Sequence, residues 1–169
     1  MSNKKVPSEL IGLEEQEYEK GKYREHILEQ YKLFFNSAEQ VTERRINMNR
    51  FCLSLITAVS GVIGYIKTEK IENDSYLVIG LATSAILICW HWIVQLENYR
   101  KLNSGKFKVI HQLERLVPLK LFEYEWEVLG KGEDPKLYRK TSNVDKSVPR
   151  IFGGLFMILV IVELWSMTS

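Results

Sequence analysis

The sequence predicts an all-α membrane protein in which a helical hairpin lies in the bilayer, long polar helices flank it, and a third apolar helix follows. Sixteen uncharged residues separate Arg50 from Lys67, and twenty-two separate Asp74 from Glu97, whereas nearly all charge lies outside these windows. The overall composition, 46% apolar and 26% charged over 169 residues, would alone describe a soluble protein. The segregation of charge therefore decides the class.

Residues 1–49 are predicted to form an N-terminal helix outside the membrane, on the cytoplasmic side. Ser8 is a suitable N-cap, acidic residues follow it in the first turns, and Gly12 and Gly21 are candidate interruptions. Further along, apolar positions recur at alternating spacings of four and three, which keeps them on one helix face: Ile27, Tyr31, Phe34, Ala38 and Val41. This stripe predicts a partner helix. It is a candidate oligomer seam, with packing inside the chain as the alternative.

Residues 50–98 are predicted to be a transmembrane hairpin. Its first span, Phe51 to Ile66, is slightly short for the bilayer core, and Arg50 and Lys67 can lengthen it by extending their charges to the interfaces. The polar sequence TEKIEND then forms a tight turn. The second span, Tyr76 to Leu96, is long enough to cross the membrane unaided.

Residues 99–149 are predicted to form a second cytoplasmic helical module. The helix of the second span has no breaker until Gly105, and a helical period then continues towards Pro118. A short helix is expected from Leu119 to Leu129, with Gly130 ending it. A turn-rich stretch links this module to the last segment.

Residues 150–169 are predicted to form a C-terminal apolar helix embedded in the membrane. Twelve uncharged residues precede Glu163, fewer than in the hairpin spans. A third membrane helix beginning at Arg150 is the favoured interpretation. The alternative is a helix that lies against the hairpin or in the interface.

The distribution of basic residues predicts the orientation of the hairpin, because Lys and Arg are preferentially retained in the cytoplasm. Basic residues flank the outer ends of the two spans, whereas the intervening turn has only Lys67 and Lys70. The flanking residues are Arg44, Arg45 and Arg50 before the first span and Arg100, Lys101, Lys106 and Lys108 after the second. Both polar modules are therefore expected in the cytoplasm, and a third span would send the C-terminus outward.

Two ionisable residues in the apolar segments, His91 and Glu163, are candidate pore or intramembrane polar residues. His91 lies between two tryptophans near the cytoplasmic end of its span, so an interfacial aromatic belt is its alternative. Glu163 either faces a pore, pairs with another helix, or ends a shallow interfacial helix.

Small residues in both spans create faces on which helices can approach closely, for example Ser60 with Gly64 and Gly80 with Ser84. Packing within the hairpin is the favoured interpretation of these faces. Packing between subunits is the functional alternative.

Enzymatic chemistry has little support in the sequence. The three histidines, His26, His91 and His111, belong to different segments, and no serine or cysteine stands in a glycine-rich elbow. Cys52 and Cys89 fit no zinc template and would differ in depth by roughly 7 Å in the hairpin, so both are expected to be packing residues. No catalytic, cofactor or metal site is predicted, and the net charge of +2 makes nucleic acid an improbable direct partner.

Several stretches resemble the RipA family of small bacterial inner-membrane proteins. They are YREHILEQYKLFFNSAEQVTERR before the hairpin, then YRKLNSGKFKVIHQLE and EYEWEVLGKG after it. The most distinctive positions are Tyr99, Leu102, Asn103, Lys106, Phe107, Ile110 and Glu114, with Glu125, Trp126, Leu129 and Gly130 as a second marker.

This resemblance implies a ring-shaped homo-oligomer of eight subunits in the bacterial inner membrane. It extends to the accessory membrane protein of type VI-B CRISPR systems, which forms a pore and strengthens defence by an RNA-guided RNA nuclease. A pore-forming or membrane-perturbing effector, surrounded by lipid and by copies of itself, is therefore the expected function. The alternatives are a divergent membrane-tethered RNA-processing (HEPN-like) enzyme, using His111 with Arg100 or Arg115, and a passive membrane scaffold needed in a host or under stress.

Overall fold

The fold is given by a computed structural model that describes residues 7, 10–69, 74–134, 137 and 144–168. The α-helices with described bounds are α1 (Tyr23–Glu69), α2 (Asp74–Leu113), α3 (Leu121–Val128) and α4 (Ser147–Ser166). Short 3₁₀ turns lie at Glu15–Glu17 and Gly130–Gly132, and no strand occurs in the described ranges. The all-α class predicted from the sequence is confirmed.

Helix α1 begins later than the sequence pattern predicts. Gly21 has a φ of 90°, a left-handed conformation that glycine adopts at no steric cost, and the helix starts two residues later at Tyr23. The preceding described residues form a 3₁₀ turn and bends instead of a helix. The predicted cap at Ser8 lies outside the described residues. The candidate interruption at Gly21 is therefore confirmed, and the prediction of helix between Gly12 and Gly21 is wrong, because the backbone turns there.

Helices α1 and α2 are long and continuous, with 47 and 40 residues. The predicted break at Gly105 is absent, since α2 continues through this residue to Leu113 and ends before Pro118. A glycine inside a helix costs only about 1 kcal/mol relative to alanine, and the neighbouring helical residues offset this. Residues 70–73 of the hairpin turn lie outside the described ranges.

The chain divides into two compact units. The first, named here the polar unit, comprises residues 1–43 and 100–140, and the second, named the membrane unit, comprises residues 44–99 and 141–169. Each unit therefore combines segments that are distant in sequence. The C-terminal helix α4 belongs with the hairpin.

The core of the membrane unit is a narrow seam between its three helices. It contains Ile56 from α1, Val78 and Ala85 from α2, and Phe156 from α4. The most apolar window of each helix is only 17–28% buried within the chain, so most of the apolar surface faces outward. Such a surface is costly in water and suits lipid or neighbouring subunits.

Candidate functional site

An ion cluster joins the end of the hairpin to α4. Lys67 Nζ lies 2.8 Å from Glu163 Oε1 and 3.0 Å from Asp74 Oδ2, so one ammonium group contacts a carboxylate on each of two helices. Glu163 is only 5% exposed. A buried carboxylate near lipid requires a cationic partner, and Lys67 supplies it. Of the three interpretations of Glu163 made above, the structure shows the helix-pairing one.

The opposite end of α4 is also tied to the hairpin by charges. Arg45 Nε of α1 lies 3.6 Å from Asp145 Oδ2, and Lys146 contacts the Glu97 carboxylate of α2. Lys146 and Glu163 are separated by about 25 Å along a helix that rises 1.5 Å per residue. This separation approaches the roughly 30 Å thickness of a bilayer core. Arg150 lies between these charges, so the uncharged segment that they enclose is the twelve residues 151–162, about 18 Å of helix.

The two tryptophans beside His91 have different roles. Trp92 is buried and donates a hydrogen bond from Nε1 to Asn49 Oδ1 at 2.8 Å, which joins α2 to α1. Trp90 and His91 are exposed, and His91 Nε2 lies 3.3 Å from Gln95 Nε2 one turn further on. His91 therefore lies on an outward face of the membrane unit, where either of its two interpretations can apply.

The two small pairs, Ser60 with Gly64 and Gly80 with Ser84, do not bring the hairpin helices together. A Cβ atom placed on Gly61, Gly64 or Gly80 would meet nothing within 4 Å. The hydroxyl of Ser60 donates to the Ile56 carbonyl in its own helix, and that of Ser84 donates to the Gly80 carbonyl. Packing within the hairpin is therefore the wrong interpretation of these faces, because they point away from the partner helix.

Helices α2 and α4 approach closely at Gly153, a residue that the spacing of small residues in the hairpin does not indicate. A Cβ on Gly153 of α4 would lie 3.6 Å from the Cβ of Cys89 on α2. Cys89 belongs to the main core of the membrane unit, and Cys52 packs near Trp92 and Leu96. Both cysteines are free and buried.

In the polar unit, Glu114 caps helix α3 from another helix's end. Its two carboxylate oxygens accept hydrogen bonds from the backbone N–H groups of Phe122 and Glu123 at 2.8 and 2.9 Å. The first N–H groups of a helix have no partner within the helix, and a carboxylate there is also favoured by the helix dipole. Glu114 is fully buried, so these two bonds compensate for its loss of hydration.

Other positions of the RipA-like pattern pack α1 against α2 and α3. Lys106 Nζ donates to Ser37 Oγ at 2.7 Å and lies 4.8 Å from the centre of the Phe34 ring. The Phe122 ring of α3 stacks on Phe35 at 4.9 Å and meets the edge of Phe107 at 6.0 Å. These residues, with the fully buried Ile110, build the core of the polar unit.

The predicted oligomer seam on α1 is covered by the chain itself. Ala38 and Val41 are buried, and Phe34 is packed by Lys106. Burial raises the pKa of the Tyr31 hydroxyl above its ordinary value, and the nearby Glu114 carboxylate adds to the rise. Ile27 lines a cavity of about 350 Å³ within the polar unit. The end of the stripe with Ala38 and Val41 thus packs inside the chain, the alternative given above, whereas the half-buried end with Ile27 stays a candidate oligomer seam.

The remaining positions of the pattern have varied surroundings. Tyr99 and Leu129 are half-buried, Gly130 adopts a left-handed φ of 62° after α3, and Asn103 has a buried Oδ1 without a partner among the described residues. Leu102, Glu125 and Trp126 are exposed instead. The resemblance thus combines core residues with surface residues, of which Trp126 has a further interaction.

The three histidines make different contacts in the described structure. His26 Nδ1 lies 2.7 Å from the Tyr18 hydroxyl, whereas the His111 ring meets the edge of Phe107. Within the described residues, no group of three or more histidine, cysteine, aspartate or glutamate residues could hold a metal ion.

These features place the protein in the class of helical membrane proteins. Three helices of the described chain are long and apolar enough to cross a membrane. Residues 28–165 match the octameric membrane protein family (8xMP), and the chain belongs to that family. It is therefore a self-associating membrane protein. No curated protein and no solved structure matches the chain.

Proposed function

We propose that eight copies of this protein form a closed ring around a pore in the bacterial inner membrane, and that it acts without catalysing a reaction. The observation that carries the proposal is the outward face of α2. Gly80, Ser84 and His91 recur on this face at helical spacings, and all three are exposed in the single chain. Small and polar groups on a membrane helix favour neighbouring helices or water over lipid.

The outward surface of α4 supports this assignment by contrast. Its exposed residues within the span are apolar: Leu155, Ile158 and Ile161 are accompanied by Met157 and by the glycine Gly154. Hydrocarbon solvates such side chains without loss of hydrogen bonds, so α4 is suited to face lipid. The face of α2 that carries Ser84 and His91, together with the exposed Leu87, then faces the inside of the ring.

Helix α1 supplies the surface between neighbouring subunits in this proposal. Thr57, Gly61 and Gly64 form an exposed small face, and the two glycines have open space beside them. Helices approach closely in lipid where both contribute small residues. Because Lys67 satisfies Glu163 within the chain, Glu163 stabilises the subunit and is not part of the pore lining.

The orientation follows from the basic residues at the ends of the hairpin. Arg44, Arg45 and Arg50 flank one end, whereas Lys67 at the other end is paired with Glu163 and Asp74. The positive-inside rule thus supports a cytoplasmic N-terminus. Ion pairs hold both ends of α4 to the hairpin, through Lys146 with Glu97 and Glu163 with Lys67. They support a third span that carries the C-terminus outward.

Cysteine labelling during current recording tests the pore. Ser84→Cys and Ile158→Cys are compared in planar bilayers, with a membrane-impermeant cationic thiol reagent added after currents appear. The native Cys52 and Cys89 are buried, so the parent protein is expected to be unresponsive. We expect the reagent to reduce the current of Ser84→Cys, which faces water, and to leave Ile158→Cys unchanged.

Two results would contradict the proposal. A parent protein that inserts but carries no current would refute the pore itself. Block at Ile158→Cys but not at Ser84→Cys would show that α4 lines the conducting path, and the assignment of faces would be wrong.

For the cellular role, we propose membrane permeabilisation in antiviral defence, as the RipA-like pattern and its CRISPR-associated relatives suggest. Cells with an RNA-guided RNA nuclease would survive phage infection better with this protein than with a Ser84→Leu variant that blocks the pore. The competing enzyme hypothesis predicts RNA cleavage that depends on His111. Purified protein and its His111→Ala variant are expected to leave RNA intact under the same conditions.

A further inference from the structure

The outer side of α3 carries an apolar stripe that nothing in the described chain covers. Leu121, Tyr124 and Val128 lie three and four residues apart on one helix face, and each is about 60% exposed or more. Glu125 and Glu127, both exposed, lie on either side of them. We call this surface the acidic-rimmed stripe. The opposite side of α3 is occupied, because Phe122 packs against Phe35 and Phe107.

Helix α2 carries a surface of opposite charge in the same polar unit. Leu102 is 51% exposed, and Gly105 and Val109 continue its face at spacings of three and four. Gly105 has no atom within 4 Å of its Cβ position, so the surface is flat and open there. Exposed Lys101 and Lys108 lie along one edge. We call this surface the basic-rimmed patch.

We propose that the basic-rimmed patch of one subunit binds the acidic-rimmed stripe of the next subunit around the ring. The apolar centres would exclude water while lysines meet glutamates at the rim, which sets register and partner choice. A ring of more than two subunits needs two different complementary surfaces on each copy. The stripe and the patch satisfy this requirement, because the patch lies away from the side of α2 on which Phe107 contacts α3. This inference rests on self-association alone. Leu102, Gly105 and Val109 lie at nearly the same angle around the continuous helix α2 as Ser84 and His91, so the inference turns this side of α2 toward a neighbouring subunit and is the alternative to its facing the pore.

The charges also select a second copy over other occupants. An anionic bilayer surface or an RNA would be attracted by Lys101 and Lys108 but repelled by Glu125 and Glu127. Only a partner that presents both signs matches both surfaces, and the chain itself does so. The proposal also gives a role to Leu102 and Glu125, two exposed positions of the RipA-like pattern.

Disulfide cross-linking in native membranes tests the interface. The double variant Leu102→Cys with Tyr124→Cys is oxidised and run without reductant, next to each single variant and the parent protein. Because position 102 meets position 124 of a neighbour, the double variant should form a ladder reaching the octamer. The single variants should stay monomeric. Leu102→Cys with Leu33→Cys is the matched control, since Leu33 is 69% exposed on α1 and lies outside both surfaces.

A charge exchange gives a second, independent readout. Lys101→Glu with Lys108→Glu should reduce the octamer fraction in size-exclusion chromatography, and adding Glu125→Lys with Glu127→Lys should restore it. The absence of a ladder in the double variant, or equal dimers from a single variant, would overturn the proposal. Failure of the second charge pair to restore the octamer would overturn the rim pairing. Pore currents from a double variant that forms no ladder of cross-linked subunits would support the pore and overturn only the proposed interface.

Discussion

Replacement of Glu114 by alanine should release helix α3 from the polar unit. The Glu114 carboxylate accepts the Phe122 and Glu123 N–H groups, and it is the only side-chain acceptor described at this helix start, because the N-cap residue Lys120 contributes no cap hydrogen bond. The helix has just eight residues, too few to be stable without tertiary support. Loss of the cap therefore acts on an element with little intrinsic stability.

The magnitude follows from the two hydrogen bonds. A hydrogen bond to a charged group contributes about 1.5–3 kcal/mol, and water entering the vacated site would recover part of that for both N–H groups. We expect a net loss of about 3 kcal/mol in the local stability of α3. Since 1.4 kcal/mol corresponds to a factor of ten, opening of α3 should become roughly 100-fold more frequent. Glu114→Gln retains one acceptor oxygen and should lie about midway.

Hydrogen exchange measures this opening directly. The amides of Tyr124 in α3 and of Leu129 directly after it bond to the carbonyls of Lys120 and Glu125. Both amides should exchange faster in Glu114→Ala, whereas amides of α2 should be unchanged. The control Glu29→Gln alters an exposed carboxylate on α1, outside both proposed interface surfaces, and should shift stability by less than about 0.5 kcal/mol. Unchanged protection of α3 in Glu114→Ala would refute the capping role.

Three further changes test the membrane unit by thermal unfolding in detergent. Lys67→Ala should destabilise it by about 2 kcal/mol, a value that is discounted because the Lys67 side chain is 37% exposed. Adding Glu163→Gln should recover most of this loss, and no recovery would contradict the ion pair. Trp92→Phe should cost about 1 kcal/mol by removing the hydrogen bond to Asn49, and an unchanged midpoint would show that water replaces it. Gly153→Ala should be tolerated, whereas Gly153→Leu should cost about 1–3 kcal/mol by overpacking the contact with α2, and equal midpoints would exclude a close approach there.

The membrane helices could be predicted because hydrophobicity acts on whole windows of sequence. Charge segregation alone placed the windows from Phe51 to Ile66 and from Ser75 to Leu96, and both lie inside long helices. Helix ends were predicted less well. Gly21 and Gly105 have the same side chain, yet only Gly21 adopts a left-handed φ and breaks the helix, since its neighbours do not hold it in helical conformation.

The polar contacts depended on tertiary arrangement and were mostly missed. The sequence marks Glu163 as unusual but does not identify its partner. Lys67 lies 96 residues away, and its position at the end of the first span is equally well explained by a lysine that extends its charge to the membrane interface. The signal was present: an acid inside an apolar helix requires a base at the same depth. Glu114 was noted only through the RipA-like pattern, since nothing local shows that its carboxylate reaches the start of α3.

The direction of a helix face was the hardest property to obtain from the sequence. The stripe containing Ala38 and Val41 has the spacing of an intersubunit seam, but it is buried within the chain. The small faces containing Gly61 and Gly80 suggested a tight hairpin, but they point outward. Periodicity defines which residues share a face, whereas the identity of the partner depends on how the helices pack.

Single-particle imaging of the purified protein in lipid nanodiscs tests the central claim most directly. Our account predicts a closed ring of eight 19.8 kDa chains, with the α2 face containing Ser84 and His91 around an axial channel and α4 at the lipid boundary. A ring whose axis is filled by lipid or lined by the aliphatic surface of α4 would contradict it.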